Sequence, residues 1–228
     1  MTLVLEPGLY VSCQARPPSP MDGSDSMARL ARAAVLGGAS GIRAQGVGDI
    51  AAVKEAVPVP VIGLIKTADR PVYITPTVEA AVAVASAGAD VVAVDATLRA
   101  RPDGTTTDEF LARLRDALEI PVIADVDSLE AAVAAERAGV DYVATTLAGY
   151  TGPSVDRSRT PDLALLEAIV AEVSIPTIAE GRFHTAEQVQ RAFELGAFAV
   201  VVGAAITDPV ALTRRFAAAA PARRTHDV

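Results

Sequence analysis

Short runs rich in β-branched residues alternate with Ala-rich stretches of helical period along nearly the whole chain, and that rhythm leaves few folds open. The runs are Gly8–Gln14, Ser40–Gln45, Val59–Lys66, Val91–Thr97, Pro121–Val126, Tyr142–Leu147, Pro176–Gly181 and Ala199–Ile206. Between them lie Met27–Leu36, Val78–Ala87, Asp108–Leu118, Leu129–Ala138, Asp162–Val173 and Ala186–Leu195, whose apolar residues recur at helical spacing. A strand that keeps giving way to a helix implies right-handed parallel crossovers. The chain has 228 residues, close to the roughly 250 of a single (β/α)8 TIM barrel. The sequence therefore predicts one α/β barrel domain over 1–220, followed by a polar, frayed tail over 221–228.

Composition points the same way. Hydrophobic residues make up 51% of the chain, but aromatics only 4% and Trp is absent, so the core is left to Val, Ile, Leu and Ala. Such a core suits parallel strands covered on the outside by Ala-rich helices. A net charge of −8, with acids spread along the chain, gives no footprint for nucleic acid or an anionic membrane. The N-terminus lacks a basic region followed by an apolar stretch and a cleavage site, and no apolar run approaches a membrane span. A lone cysteine, Cys13, allows no intrachain disulfide, and it reads as a small core residue because no histidine is placed to activate it. The expectation is a soluble cytoplasmic protein. His184 and His226 lack metal-ligand spacing, so no metal is expected.

Helix punctuation sharpens the boundaries. Thr160-Pro161 and Asp208-Pro209 read as caps followed by proline at the first helical position, and Thr185 with Gln188 reads as a capping box. Gly37-Gly38, Gly88, Gly139 and Gly196 stand where a helix must turn back into a strand. The Pro- and Ser-rich segment Arg16–Ser26 is expected as a loop covering the face where the strands end.

Barrels of this kind carry their chemistry at the C-terminal ends of the strands. Gln14, Arg43, Lys66, Asp95, Asp125, Thr145 and Glu180 each close or nearly close an apolar run, so they should converge on one mouth. Lys66 follows Val61-Ile62-Gly63-Leu64-Ile65, where desolvation would favour a neutral amine able to act as base or nucleophile. Glu180 after Thr177-Ile178-Ala179 is the complementary acid or base. A buried Lys–Glu strut is the structural alternative; the place at a barrel mouth favours chemistry. Arg43 either grips substrate oxygens or pairs with a carboxylate. Asp125 could orient Lys66 or a sugar hydroxyl, whereas Asp95 leans toward capping its own loop and binding Arg99 or Arg101. After strands seven and eight, Glu180-Gly181-Arg182 and Val202-Gly203-Ala204 have the small residues that let a phosphate approach backbone N–H groups.

The segments Val11-Ser12-Cys13-Gln14-Ala15, Gly41-Ile42-Arg43-Ala44, Val61–Lys66, Val72-Tyr73-Ile74-Thr75-Pro76-Thr77, Asp95-Ala96-Thr97 with Arg101-Pro102-Asp103-Gly104, Ala124-Asp125, Gly149-Tyr150-Thr151, Ala179–Arg182 and Val202-Gly203 together resemble the bacterial N-acetylmannosamine-6-phosphate 2-epimerase family over nearly the whole length. That resemblance implies a catabolic enzyme of amino sugar and sialic acid use that inverts C2 without an organic cofactor. It implies Lys66 and Glu180 as the proton-transfer pair, Gln14, Arg43 and Asp125 around the sugar, and Gly181, Arg182 and Gly203 around the phosphate. Two departures bear on the phosphate: Asp208 stands where the family usually has Arg, and Thr67–Pro71 is shorter than usual. Arg70 and Arg182 are the candidates to compensate.

Two other readings use the same residues. A strand-end lysine can form a Schiff base, as in an aldolase, and a barrel can serve as a sugar-phosphate-binding regulator. Several ionisable groups at one mouth argue against the regulator, since binding alone needs no base. Barrels of this kind often associate, which makes a homodimer the assembly to test.

Overall fold

A computed structural model describes residues 4–67, 71–101, 103–151 and 160–221. The strands are β1 (Gly8–Cys13), β2 (Gly41–Gln45), β3 (Val61–Leu64), β4 (Val91–Asp95), β5 (Val122–Asp125), β6 (Tyr142–Ala144), β7 (Thr177–Glu180) and β8 (Ala199–Val202). All pair in parallel and close into a barrel, with β8 returning to β1. Around them run α1 (Ser24–Leu36), α2 (Val47–Ala56), α3 (Val78–Ser86), α4 (Thr107–Ala117), α5 (Leu129–Arg137), α6 (Leu163–Glu172), α7 (Ala186–Glu194), α8 (Ala204–Thr207) and α9 (Pro209–Ala217).

The strand period of two divides each run into an inner and an outer set. Tyr10, Ile62, Leu64, Ala93, Ile123, Tyr142, Ile178 and Val201 meet inside the barrel. Val11, Ile42, Val92, Val94, Ala124 and Val143 face outward, where they pack with helix residues such as Val53, Ala81, Leu114 and Ala135. The inner set leaves little slack: a Cβ on Gly41 would stand 2.1 Å from a ring carbon of Tyr10, so only glycine admits that ring. Below the rings, the Tyr142 hydroxyl accepts from the Leu5 N–H at 3.2 Å and Tyr10 donates to the Glu6 carbonyl at 3.1 Å.

Capping follows the expected chemistry with one correction. The Thr185 and Gln188 box forms at the start of α7, and Asp208 accepts from the Ala211 N–H at 2.9 Å ahead of Pro209. At α6 the cap is Asp162 rather than Thr160: its carboxylate accepts from the Leu165 N–H at 3.0 Å, so the helix begins beyond the Thr160-Pro161 pair. In two runs the strand gives way to a helical turn before the run ends. Thr145–Leu147 is a single 3-10 turn after β6, and Ala204–Thr207 is helical after β8. There the chain must bend away from the barrel, and tertiary geometry overrides β-branched propensity.

Residues 14–23 are neither helix nor strand, in keeping with the expected loop, and α1 begins at Ser24. Among the described residues no helix is long and apolar enough to cross a membrane. Arg70, Pro102, His226 and the tail from residue 222 lie outside the described residues.

Candidate active site

At the strands' C-terminal ends lies a cavity of about 340 Å³, lined by Ser12, Lys66, Tyr73, Ile74, Thr146, Tyr150, Glu180, Gly181, Arg182, Phe183, His184, Val201, Gly203 and Ala204. Its depth follows from register. The inner set of each strand ends in a polar or small residue: Ser12 on β1, Arg43 on β2, Asp95 on β4, Asp125 on β5 and Glu180 on β7. Lys66 continues the inner set of β3, which Ile62 and Leu64 begin.

Arg43 organises the floor. It is 1% exposed and straddles two carboxylates: Nη2 donates to Asp125 Oδ2 at 2.6 Å, Nη1 to Asp125 Oδ1 at 3.2 Å, and Nη1 also to Glu180 Oε2. Burial works against the guanidinium charge, but Asp125 and Glu180 outweigh it and raise its proton affinity. Asp125, fully buried, also accepts the Thr146 hydroxyl at 2.5 Å. Of the two sequence alternatives for Arg43, its side-chain nitrogens take the carboxylate pairing.

Lys66 and Glu180 are both pushed toward their uncharged forms. Burial, then the Arg43 charge, lowers Lys66 to about 8, against the attraction of Glu180 and Asp125; Arg16 from the loop after β1 adds to the lowering. Burial raises Glu180 above the usual carboxylate range and Asp125 adds to it, in spite of Arg43. The Lys66 Nζ donates to Gln14 Oε1 at 2.7 Å, and the Gln14 amide donates in turn to Ser12 Oγ at 2.7 Å. Gln14 thus reaches the amine directly.

A short hairpin carries the lysine. Lys66 bridges Ile74 in antiparallel fashion, and the Thr67 N–H donates to the Tyr73 carbonyl at 2.9 Å. Asp95 fastens the returning arm: its buried carboxylate accepts from the Tyr73 N–H at 3.3 Å, Thr97 Oγ1 at 2.7 Å and Arg99 Nη2 at 2.6 Å. Arg101 donates to the Asp95 and Pro76 carbonyls. The expected lean of Asp95 toward its own loop matches this geometry, with Arg99 as the ion partner.

Gly181, Arg182 and Gly203 all reach the cavity wall. Arg182 sits with its guanidinium 5.3 Å from the Tyr150 ring centroid and donates to the Ala148 carbonyl at 3.0 Å. Asp208 does not line this cavity; its carboxylate serves the start of α9. Cys13 is buried, with its thiol pushed up to about 12 by burial. Among the described residues no His, Cys, Asp and Glu cluster could hold a metal ion.

Thr146, not Thr145, faces the cavity. Thr145 is buried and brackets the Glu180 backbone, donating to its carbonyl and accepting from its N–H, both at 3.0 Å. The signal was the period of two: counting from Tyr142 through Ala144 reaches Thr146.

A family model described as "Putative N-acetylmannosamine-6-phosphate epimerase" matches residues 27–222. Relatives named "Putative N-acetylmannosamine-6-phosphate 2-epimerase" occur in Cutibacterium acnes, 47% identical over 92% of this chain and 92% of the relative, and in Caldanaerobacter subterraneus subsp. tengcongensis, 47% identical over 98% and 95%. The solved N-acetylmannosamine-6-phosphate 2-epimerase of Clostridium perfringens is 41% identical, with a TM-score of 0.89 over 95% of each chain. A thiamine phosphate pyrophosphorylase from Pyrococcus furiosus, 22% identical with a TM-score of 0.59, shares the fold alone.

Proposed function

We propose that this chain, which belongs to the N-acetylmannosamine-6-phosphate 2-epimerase family, interconverts N-acetylmannosamine-6-phosphate and N-acetylglucosamine-6-phosphate by removing and returning the C2 proton. The observation that carries the reading is Lys66, an amine at the cavity wall with its pKa lowered to about 8.

In the open-chain sugar the C2 proton lies beside the aldehyde carbonyl, so a base can take it if the developing enediolate is stabilised. Neutral Lys66 is that base. Its hydrogen bond to Gln14 uses an N–H, which leaves the amine lone pair for the cavity. Glu180, raised in proton affinity, gives and takes a proton at the sugar oxygens, including during ring opening. Arg43, itself anchored by Asp125, holds Glu180 in place from below. Return of the proton to the opposite face of C2 gives the epimer.

The phosphate falls to the ends of β7 and β8, where Gly181 and Gly203 keep the wall open and Arg182 supplies positive charge. Asp208 is engaged at the start of α9, which supports keeping a phosphorylated substrate in spite of the acid there.

Proton NMR with N-acetylmannosamine-6-phosphate in D2O tests the reading. The expected result is N-acetylglucosamine-6-phosphate carrying deuterium at C2. Turnover of the unphosphorylated sugar alone would overturn the phosphate assignment, and no turnover of either would overturn the function.

A further inference from the structure

Thr75, fully buried, has a backbone φ of 42°, a left-handed conformation that β-branched residues avoid and glycine enters freely. Strain of that kind persists only where the surroundings fix it. Here the fixing partner is the backbone of Ile65, the residue before Lys66. The Thr75 N–H donates to the Ile65 carbonyl at 2.6 Å, and the Ile65 N–H donates to Thr75 Oγ1 at 3.1 Å. A glycine would take the turn without strain but has no oxygen for the Ile65 N–H. The grip falls where the barrel lets go. β3 ends at Leu64, whose carbonyl accepts from the Gly46 N–H at 2.8 Å. Past that point the described backbone hydrogen bonds of residues 65–67 go to the returning arm: to Thr75, and from the Thr67 N–H to the Tyr73 carbonyl at 2.9 Å. Lys66 stands between these ties, opposite Ile74.

We infer that Thr75 is a positioning residue for Lys66: by holding both backbone groups of Ile65, it sets the depth at which the lysine side chain enters the cavity. The side chains around the amine do not share that task. Gln14 and Arg16 beyond β1, Arg43 on β2, Asp125 on β5 and Glu180 on β7 surround it, and Tyr73 and Tyr150 line the same cavity. Among the described hydrogen bonds none of these side chains reaches the backbone of residues 65–67. They act on the charge of the amine, whereas Thr75 fixes where the amine stands among them. Depth matters because burial is the largest cause of its lowered proton affinity and the Arg43 charge the next. An amine that moves outward regains water and leaves Arg43.

The consequence for turnover rests on the epimerase reading; the placement of the amine does not. Lys54 and Lys66 are the lysines of the chain, so carbon-13 NMR titration of the lysine Cε atoms follows Lys66 in the whole protein, assigned by its loss in Lys66→Met. In the unaltered protein its midpoint should lie at about 8. Thr75→Gly and Thr75→Val both lack the hydroxyl, and in each the midpoint should rise by about one pH unit. Thr75→Ser should keep it where it was. If Thr75→Val does not fold, Thr75→Ala carries the same expectation. A merely structural Thr75 gives a different result: Thr75→Gly relieves the strain and leaves the Lys66 titration unmoved. That outcome, an unmoved midpoint in the valine variant, or a serine variant that titrates like the glycine one would each overturn the assignment. Kinetics supply the second readout. At pH 7 a rise of one unit removes about nine-tenths of the neutral amine, so kcat of Thr75→Gly should fall about tenfold with KM little changed, and the rising limb of its pH profile should move up by the same unit. Absence of turnover in the unaltered protein would defeat the epimerase reading while leaving the titration to decide the role of Thr75.

Discussion

The two ends of the barrel spend the same residue types differently. At the N-terminal end, Asp90 accepts from the Val61 N–H at 2.8 Å and from Lys54 Nζ at 2.6 Å, and Asp141 accepts from the Val122 N–H at 2.8 Å. Arg115 there donates to the Ala138 carbonyl at 3.0 Å. These charges are tied to backbone and keep contact with water; Lys54 and Asp90 are 38% and 28% exposed. At the C-terminal end, Arg43, Asp125 and Glu180 are tied chiefly to one another and are 1%, 0% and 13% exposed. A hollow of about 520 Å³, larger than the cavity and mainly apolar, lies at the N-terminal end, lined by residues such as Leu111, Leu118, Ile120 and Val140. Volume therefore does not locate the chemistry. Mutual burial of charges does, because it moves the proton affinities of Lys66 and Glu180 toward the neutral forms a proton-transfer pair needs.

The hardest break of that contrast is Lys66→Met. Loss of the base should lower kcat by about 10³-fold, within the range for general acid and base groups, and C2 deuterium incorporation in D2O checks it. Stability should move the other way. The amine titrates near 8 when folded and near its ordinary 10.5 when unfolded, so the unfolded chain binds more protons between these values. The folded state thus gains stability as pH rises from about 8 to about 10.5, and at pH 7 it bears the full cost of a buried ammonium. Removing that charge should raise Tm by about 2–4 °C at neutral pH, read by thermal unfolding. A fall in Tm would mean that Lys66 is a strut, as Asp90 is.

Glu180→Gln comes next. It keeps an acceptor for Arg43 but can neither give nor take a proton, so kcat should fall about 10²-fold with KM little altered. A smaller effect is expected from pH alone. Because the working form of Lys66 is the neutral amine, kcat in the unaltered enzyme should rise about tenfold per unit from pH 6 to 7 and level off above about 8. A flat profile through that range would place rate limitation outside proton transfer at C2.

How far the sequence carries the fold and the site follows from what each residue's neighbours are. Strand and helix alternation is local, so the runs that carry Arg43, Lys66, Asp125 and Glu180 are visible as short apolar stretches with a polar residue at or near their end. Their shared cavity follows once the barrel is recognised. Partner choice is not local: that Arg43 spans Asp125 and Glu180, and that Gln14 meets Lys66, depends on register between strands far apart in sequence. Thr145 stood out because it directly follows the β6 run, whereas Thr146 required knowing that the inward phase of that strand persists through the turn. Asp208 looked like a threat to phosphate from its position alone, although the proline after it already marked a helix start.

The smallest effect tests the other half of the comparison. Asp90 joins the start of β3 to Lys54 on α2, far from the cavity floor, so Asp90→Ala should leave kcat and KM unchanged. Its hydrogen bond to the Val61 N–H is charge-assisted but partly solvated, and its ion pair with Lys54 is half-exposed, so the loss should be about 1 kcal/mol of folding stability. Urea unfolding with parallel kinetics reads both quantities on one protein. Asp141→Ala, which removes the equivalent bond to Val122, should behave alike. A kinetic defect in either variant with stability intact would mean that the two ends communicate, and that the separation of structural from chemical charge drawn from their burial does not hold.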